Sequence, residues 1–250
     1  MPWSDPIASD KHYWHRYSRF YQRQIATLDP VSSILEYGVF RGGSIQWLRS
    51  IFPDAEIFGV DIVPPQPEWP TGSGITYITA DQGDRFAIAR VLSSLDRRFD
   101  LVIEDGSHIP QHQANCLAET FPFLRPGGMY ILEDLHTSHP RHPHYRSHCA
   151  PGTPTSLHFL LLMEHALAAN KTIEPADFSA LSHPDLLTAT DLRQLSAAIA
   201  SADIYQRATL PLRCYACGGD DFDPIALVCR CGVSLDIIGP DSISAVLRAR

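Results

Sequence analysis

Lysine is almost missing from this chain: of its 20 Lys and Arg residues only Lys11 and Lys171 are lysines. The arginines are scattered without a dense basic run, and 28 acidic residues leave a formal net charge of −8. A general binder of phosphate backbones needs a concentrated positive face, so no nucleic-acid partner is expected. Also missing is any run approaching the ~18 apolar residues of a membrane-spanning helix. The opening MPWSDPIASD lacks the basic-then-apolar pattern of a secretion signal. A soluble, cytoplasmic protein without a membrane partner is the expectation. A hydrophobic content of 44% against 19% charged residues excludes a disordered or fibrous chain. At roughly 150 residues per domain, the length of 250 residues makes one large domain, or one with a small appendix. Association of identical copies is left open by the sequence.

Two residue types are locally concentrated. Six of the 12 histidines fall between His136 and His158, and four of the 6 cysteines fall between Cys214 and Cys231.

From residue 31 onward, short β-like apolar runs alternate with helix-like segments, the pattern of a doubly wound α/β sheet. Strands are predicted at 33–37, 56–61, 75–79, 99–104 and 128–132, with helices near 43–52, 84–95 and 110–123. Pro110 suits a first helical turn, and Pro126-Gly127-Gly128 reads as a turn before the fifth strand. Ahead of this core, 10–28 carries Tyr13, Trp14, Tyr17, Phe20 and Tyr21 at helical spacing. It reads as a packing helix, or as a cap over a site. After the core, the Pro- and His-rich 136–154 reads as a lid. Helices follow at 155–170 and 190–203, and the composition changes near 212. The expected organisation is a helical cap over 1–30, a main domain over 31–210 and a Cys-rich appendix over 211–250.

The segment ILEYGVFRGGS places Glu36, Gly38, Gly42 and Ser44 between the first strand and its helix. Glycine there allows close approach of the backbone to a ligand, and a helix N-terminus offers free N–H donors. The second strand ends in Asp61, where a carboxylate can accept hydrogen bonds from both ribose hydroxyls. Asp81 and Gln82 follow the third strand, where an adenine ring would sit. Together these residues resemble the Rossmann-like, class I S-adenosylmethionine-dependent methyltransferases. In that class the glycine turn cradles the methionine part of the cofactor, and the acids matching Asp61 and Asp81 contact ribose and adenine.

Two further segments, IEDGSH and LEDLHTS, begin where the fourth and fifth strands stop. Adjacent strands lie ~4.8 Å apart, so Asp105, Glu133 and Asp134 can converge, and three carboxylates repel unless a cation or proton joins them. A hard divalent ion, Mg²⁺ first or Mn²⁺, suits such oxygen ligands. His108, three residues beyond Asp105, is the candidate general base. FDLVIEDGSHIPQHQ followed by LRPGGMYILEDLHTS is similar to the magnesium-dependent sugar O-methyltransferases of macrolide biosynthesis, the mycinamicin and rhamnosyl type. ASDKHYWHRYSRFYQ resembles their Asp-Lys-and-aromatic segment. The resemblance covers about 8–138 and implies metal binding by Asp105, Glu133 and Asp134, with His108 as base. The small-molecule or glycan acceptor is less defined, because HPRHPHYRSHCAPG has no match in that pattern. A catechol or phenol acceptor, or a catalytically inactive binding module, are the alternatives.

Among the clustered histidines, His136 is the one expected to reach the site; the rest read as part of the lid rather than as a metal centre. Cys214-x-x-Cys217 and Cys229-x-Cys231, each followed by glycine, are spaced to present four thiolates to zinc as in a small ribbon. Free or redox-active thiols and disulfides are the other readings.

Overall fold

The computed structural model describes residues 10–28, 30–235 and 242–250. Parts of the expected cap (1–9 and 29) and of the expected appendix (236–241) therefore lie outside the described residues.

Strands β1 (Ser33–Tyr37), β2 (Glu56–Asp61), β3 (Ile75–Thr79), β4 (Phe99–Glu104), β5 (Leu124–Leu132), β6 (Ile199–Gln206) and β9 (Ile243–Ala249) build the main sheet, in the order β3-β2-β1-β4-β5-β9-β6. β7 (Phe222–Asp223) and β8 (Val228–Cys229) form a separate hairpin. β1 to β5 are mutually parallel, whereas β9 runs antiparallel to both β5 and β6. This is the doubly wound α/β architecture expected from the alternation of strands and helices.

Because side chains alternate across a strand, each central strand feeds two cores. Leu35, Tyr37, Val102, Tyr130 and Leu132 pack into one. Ile34, Ile57, Leu101, Ile103 and Ile131 pack into the other. Both faces are thus dry, which explains the unbroken apolar runs in the sequence. Helices α4 (Arg85–Leu95), α5 (Pro110–Thr120), α7 (Ser156–Ala168) and α9 (Ala189–Ala198) cover the first face. α2 (Tyr17–Ile25) and α3 (Gly43–Ile51) cover the second. The Asp84 side chain caps α4 by accepting from the N–H groups of Phe86 and Ala87, and Pro110 sits in the first turn of α5.

Four local differences from the sequence reading have physical causes. The expected helix over 10–28 is broken into α1 (Asp10–Tyr13) and α2 by Arg16, whose φ of 61° puts it in the left-handed region. β5 starts at Leu124 and carries Pro126-Gly127-Gly128 within it, at a register shift against β4. The helix expected to run to 203 ends at Ala198 and continues directly as β6. Finally, β9 lies inside the sheet, hydrogen-bonded on both sides, so the cysteine-bearing stretch is an excursion between β6 and β9. The 136–154 stretch contains the short α6 (Pro143–His148) and buries His136, Ser138 and Tyr145. The remaining helix, α8 (Pro175–Leu181), is followed directly by the lead-in to α9. Among the described residues no helix is long and apolar enough to cross a membrane.

Candidate active site

The carboxyl ends of β1 to β5 all reach the same edge of the sheet, where open α/β folds hold their ligands. A cavity of about 480 Å³ runs along it, and Gly38, Asp61, Asp81, Gln82, Asp105, His108, Glu133 and Asp134 all line it. Lys11 and His15 line it too, from the segment that precedes the sheet.

At one end the acids are held by backbone. Asp61 Oδ2 accepts from the N–H groups of Val39 and Phe40 at 2.8 and 3.3 Å, and its Oδ1 accepts from Val63 N at 3.2 Å. Asp81 Oδ1 accepts from Gly83 N at 2.7 Å. Gln82 ties β3 to β4: its Nε2 donates to Glu104 Oε1 at 2.8 Å and its Oε1 accepts from Ser107 N at 3.1 Å. Gly38 is where the chain has no room for a side chain. With φ of +88°, a Cβ there would stand 2.1 Å from the carbonyl oxygen of Asp105. Gly42 likewise has φ of +74°, with Pro70 where its Cβ would be.

At the other end the acids are held by side chains. Lys11 Nζ is 2.8 Å from Asp105 Oδ2, 2.9 Å from Glu133 Oε1 and 3.3 Å from Glu36 Oε1, and it also donates to Ser44 Oγ at 3.4 Å. Burial lowers the affinity of Lys11 for its proton, but Asp105, Glu133 and Glu36 outweigh it and hold the ammonium charged. Glu36 and Glu133 are themselves buried. Desolvation pushes both carboxyls up, for Glu133 with the help of Asp105, while Lys11 pulls each back. Asp134 is the opposite case. Burial alone would raise it, yet His15, His108, His136 and the Tyr17 hydroxyl hold it well below the usual carboxylate range. Tyr17 Oη donates to Asp134 Oδ1 at 2.9 Å.

One atom each from Asp105, His108 and Asp134 lie within 4.8 Å of one another. His108 Nε2 is 3.9 Å from Asp105 Oδ1 and 3.6 Å from Asp134 Oδ2, and its Nδ1 is buried without a hydrogen-bond partner. Burial disfavours its imidazolium, but Asp134, Asp105 and Glu104 raise its pKa overall. His108 and Asp134 have φ of 57° and 51°, a costly conformation for non-glycine residues that clusters at functional sites. His136 Nδ1 is 3.8 Å from Asp134 Oδ1. The other clustered histidines contribute to no metal-sized group among the described residues.

Lys11, His15 and Tyr17 lie in the segment read from the sequence as a packing helix or cap, but none of them was among the expected site residues. The signals were the rarity of lysine and the aromatic run; the contacts with Glu133 and Asp134 span more than a hundred residues of chain.

A second group stands apart from this cavity. Cys214, Cys217, Cys229 and Cys231 place their sulfurs within 4.8 Å of one another, with Cys214–Cys231 at 3.7 Å and Cys217–Cys229 at 3.5 Å. These separations exceed the ~2.05 Å of a disulfide, and all four thiols are free. Burial raises the Cys214 thiol, but the N–H groups of Cys217 and Ala216 and the neighbouring sulfurs outweigh it and bring it down to about 7.

Comparison with known proteins agrees with this geometry. Residues 35–135, which span β1 to the end of β5, match the family described as "Methyltransferase domain". Over residues 35–135 the chain is therefore similar to a methyltransferase domain. Its curated relatives include named O-methyltransferases. It is 34% identical over 131 residues to the mycinamicin VI 2''-O-methyltransferase of Micromonospora griseorubida, covering 51% of this chain and 31% of that protein. It is 31% identical over 196 residues to an 8-demethyl-8-alpha-L-rhamnosyl tetracenomycin-C 2'-O-methyltransferase of Streptomyces olivaceus, covering 71% and 50%. Among solved structures it is similar to a methyltransferase of the mycinamycin biosynthetic pathway in complex with Mg, SAH and mycinamycin VI. The TM-score there is 0.56 and the identity 26%, over 76% of this chain and 47% of that one. The chain spans half or less of the length of these relatives.

Proposed function

We propose that the chain is an S-adenosylmethionine-dependent, magnesium-assisted O-methyltransferase acting on a sugar hydroxyl of a small-molecule glycoside or glycosylated natural product. The observation that carries this reading is the continuity of one cavity from Gly38, Asp61 and Asp81 to Asp105, His108 and Asp134. The named activities of the relatives support the sugar as acceptor.

In this reading the Gly38 turn and Glu36 face the methionine part of the cofactor, and Asp61 takes the ribose. Gln82 braces the strand ends beneath the adenine beside Asp81. Asp105 and Asp134 would hold Mg²⁺ or Mn²⁺, with Glu133 alongside; their hard oxygens, on a site with more acids than fixed cations, fit such an ion. When bound, the ion polarises an acceptor hydroxyl and lowers its pKa. His108 takes the hydroxyl proton, and the Asp105 and Asp134 carboxylates stabilise its imidazolium. The freed oxygen attacks the sulfonium methyl, and the carbon–sulfur bond electrons stay on sulfur. His15, His136 and Tyr17 surround Asp134 and keep it ionised, a positioning role. Lys11 balances Glu36, Asp105 and Glu133 and holds them in place. The four cysteines hold Zn²⁺ away from the chemistry.

The test is a mass-detected transfer assay with S-adenosylmethionine against rhamnosides, other deoxysugar glycosides and catechols, with and without Mg²⁺. A gain of one methyl on a glycoside, abolished by chelator and restored by Mg²⁺, is expected. Transfer that persists in excess chelator, or in His108→Ala, overturns the mechanism. Transfer to catechols alone replaces the acceptor, and cofactor binding without any transfer leaves an inactive module.

A further inference from the structure

The stretch from Arg207 to Leu235 has almost no core of its own. Its hairpin β7–β8 has two residues per strand, and its buried apolar cluster consists of Cys214, Cys229 and Leu235 together with Trp14, which comes from the far end of the chain. Units this small need a staple. The sulfur geometry suits one: Zn–S bonds of ~2.3 Å in a tetrahedron place sulfurs ~3.8 Å apart, close to the 3.5 and 3.7 Å seen here.

What the unit grips is the N-terminal segment. The indole of Trp14 is 6% exposed and packs against the Tyr215 ring, edge-on at 4.8 Å, and the Arg207 guanidinium, also 4.8 Å from its centroid. Leu212 N donates to Tyr13 O at 2.6 Å, and Arg16 Nη1 donates to Leu210 O at 2.9 Å. Arg207 is itself almost fully buried and donates to the carbonyl of Leu235 at 2.9 Å. On either side of this grip, Lys11 and His15 line the cavity, and Lys11 reaches its acids Asp105 and Glu133 as well as Glu36. α1 is only four residues long and α2 begins beyond Arg16, so little within the segment itself holds Lys11 in place.

We propose that Cys214, Cys217, Cys229 and Cys231 bind one Zn²⁺ that acts as an anchor for the active-site cover: the metal orders the 207–235 unit, the unit clamps Trp14, and Trp14 keeps Lys11 and His15 over the acid cluster. The zinc itself takes no part in methyl transfer. The inference deepens the reading of the cavity as an active site, yet its test does not depend on finding the acceptor.

The experiment uses the full chain. Zinc is measured by elemental analysis as purified, after mercurial release followed by thiol washing, and in Cys217→Ser and Trp14→Ala. Limited trypsin digestion followed by mass spectrometry then reports cuts after Lys11 and Arg16 relative to cuts within the sheet, and circular dichroism reports whether the sheet survives. One zinc per chain is expected, lost in Cys217→Ser. Removal of zinc should speed the cuts after Lys11 and Arg16 by about tenfold or more, as the open form gains population, and zinc readdition should reverse this. Trp14→Ala should keep its zinc and show the same acceleration, which separates clamping from general unfolding. Absence of stoichiometric zinc overturns the metal site. Zinc that can be removed, or Trp14 that can be truncated, with no change in cleavage of the segment overturns the anchor. Neither result bears on whether the cavity transfers methyl groups, and a failed transfer assay leaves both zinc and cleavage readouts intact.

Discussion

The two ends of the cavity hold their carboxylates in opposite ways. Asp61 and Asp81 are gripped by backbone N–H groups, Asp81 by one two residues away and Asp61 by those of its own turn and of the neighbouring glycine turn. Asp105, Glu133 and Asp134 are gripped by the side chains of Lys11, Tyr17 and the histidines. A carboxylate fixed by amides presents a stable acceptor for neutral hydroxyls. One fixed by a lysine and by titratable rings can exchange partners, which is what the proposed site for a metal and a substrate needs. In the proposed function the first end recognises the cofactor and the second carries the chemistry.

Substitutions can break this division. The largest effect is expected from Asp134→Asn, which removes the charge the three histidines face: methyl transfer should fall about 10³-fold, while SAH affinity measured by calorimetry stays within a few-fold. Equal losses in both would erase the distinction between the ends.

Lys11→Met comes next. It leaves Glu36 and Glu133 buried without their cation, and breaking a buried pair costs about 3 to 5 kcal/mol, readable as a lower urea midpoint. Because both carboxyls are already pushed up, toward protonation, part of that loss should return on acidification. Asp61→Asn on a matching backbone-held site should cost far less stability.

Glu104 lies at the seam, bonded to Gln82 from the neighbouring strand end. Burial raises its carboxyl from the ordinary 4.5 to about 7. The folded chain therefore keeps a proton that the unfolded chain releases above pH 4.5, so this contribution is full at low pH and lost as pH rises toward 7. Glu104→Gln should flatten that slope, removing about 3 kcal/mol of pH-dependent change between those limits, checked by denaturation at pH 5 and pH 8. The smallest effect is expected from Asp61→Asn on the cofactor itself: about tenfold weaker SAH binding, with the pH profile of transfer at saturating cofactor unchanged.

The same division decides what could be read from the sequence. The recognition end is local, a strand, a turn and a polar residue, so its positions follow from the apolar runs that end at Tyr37, Asp61 and Thr79. The strand ends of the reactive pocket were equally visible in IEDGSH and LEDLHTS. Their partners were not, because Lys11 and Tyr17 meet Glu133 and Asp134 across 122 and 117 residues, and no local pattern encodes such a meeting. β6 was hidden for a different reason. LSAAIASAD has strong helical propensity, and only pairing with β9 makes a strand of its second half. β9 is buried along its first five residues inside the sheet, so ISAVLRA shows no apolar–polar alternation that would mark it as a strand.

Gly38 has a consequence for reach. Its backbone lies so near the Asp105 carbonyl that a single methyl group would have to occupy space 2.1 Å from that oxygen. The two ends of the cavity therefore touch through bare main chain, and any side chain at this position would have to push them apart. Gly38 is a gauge block: in the proposed reaction it keeps the cofactor turn against the strand that ends in Asp105, and it leaves the acceptor oxygen to close the remaining distance to the methyl.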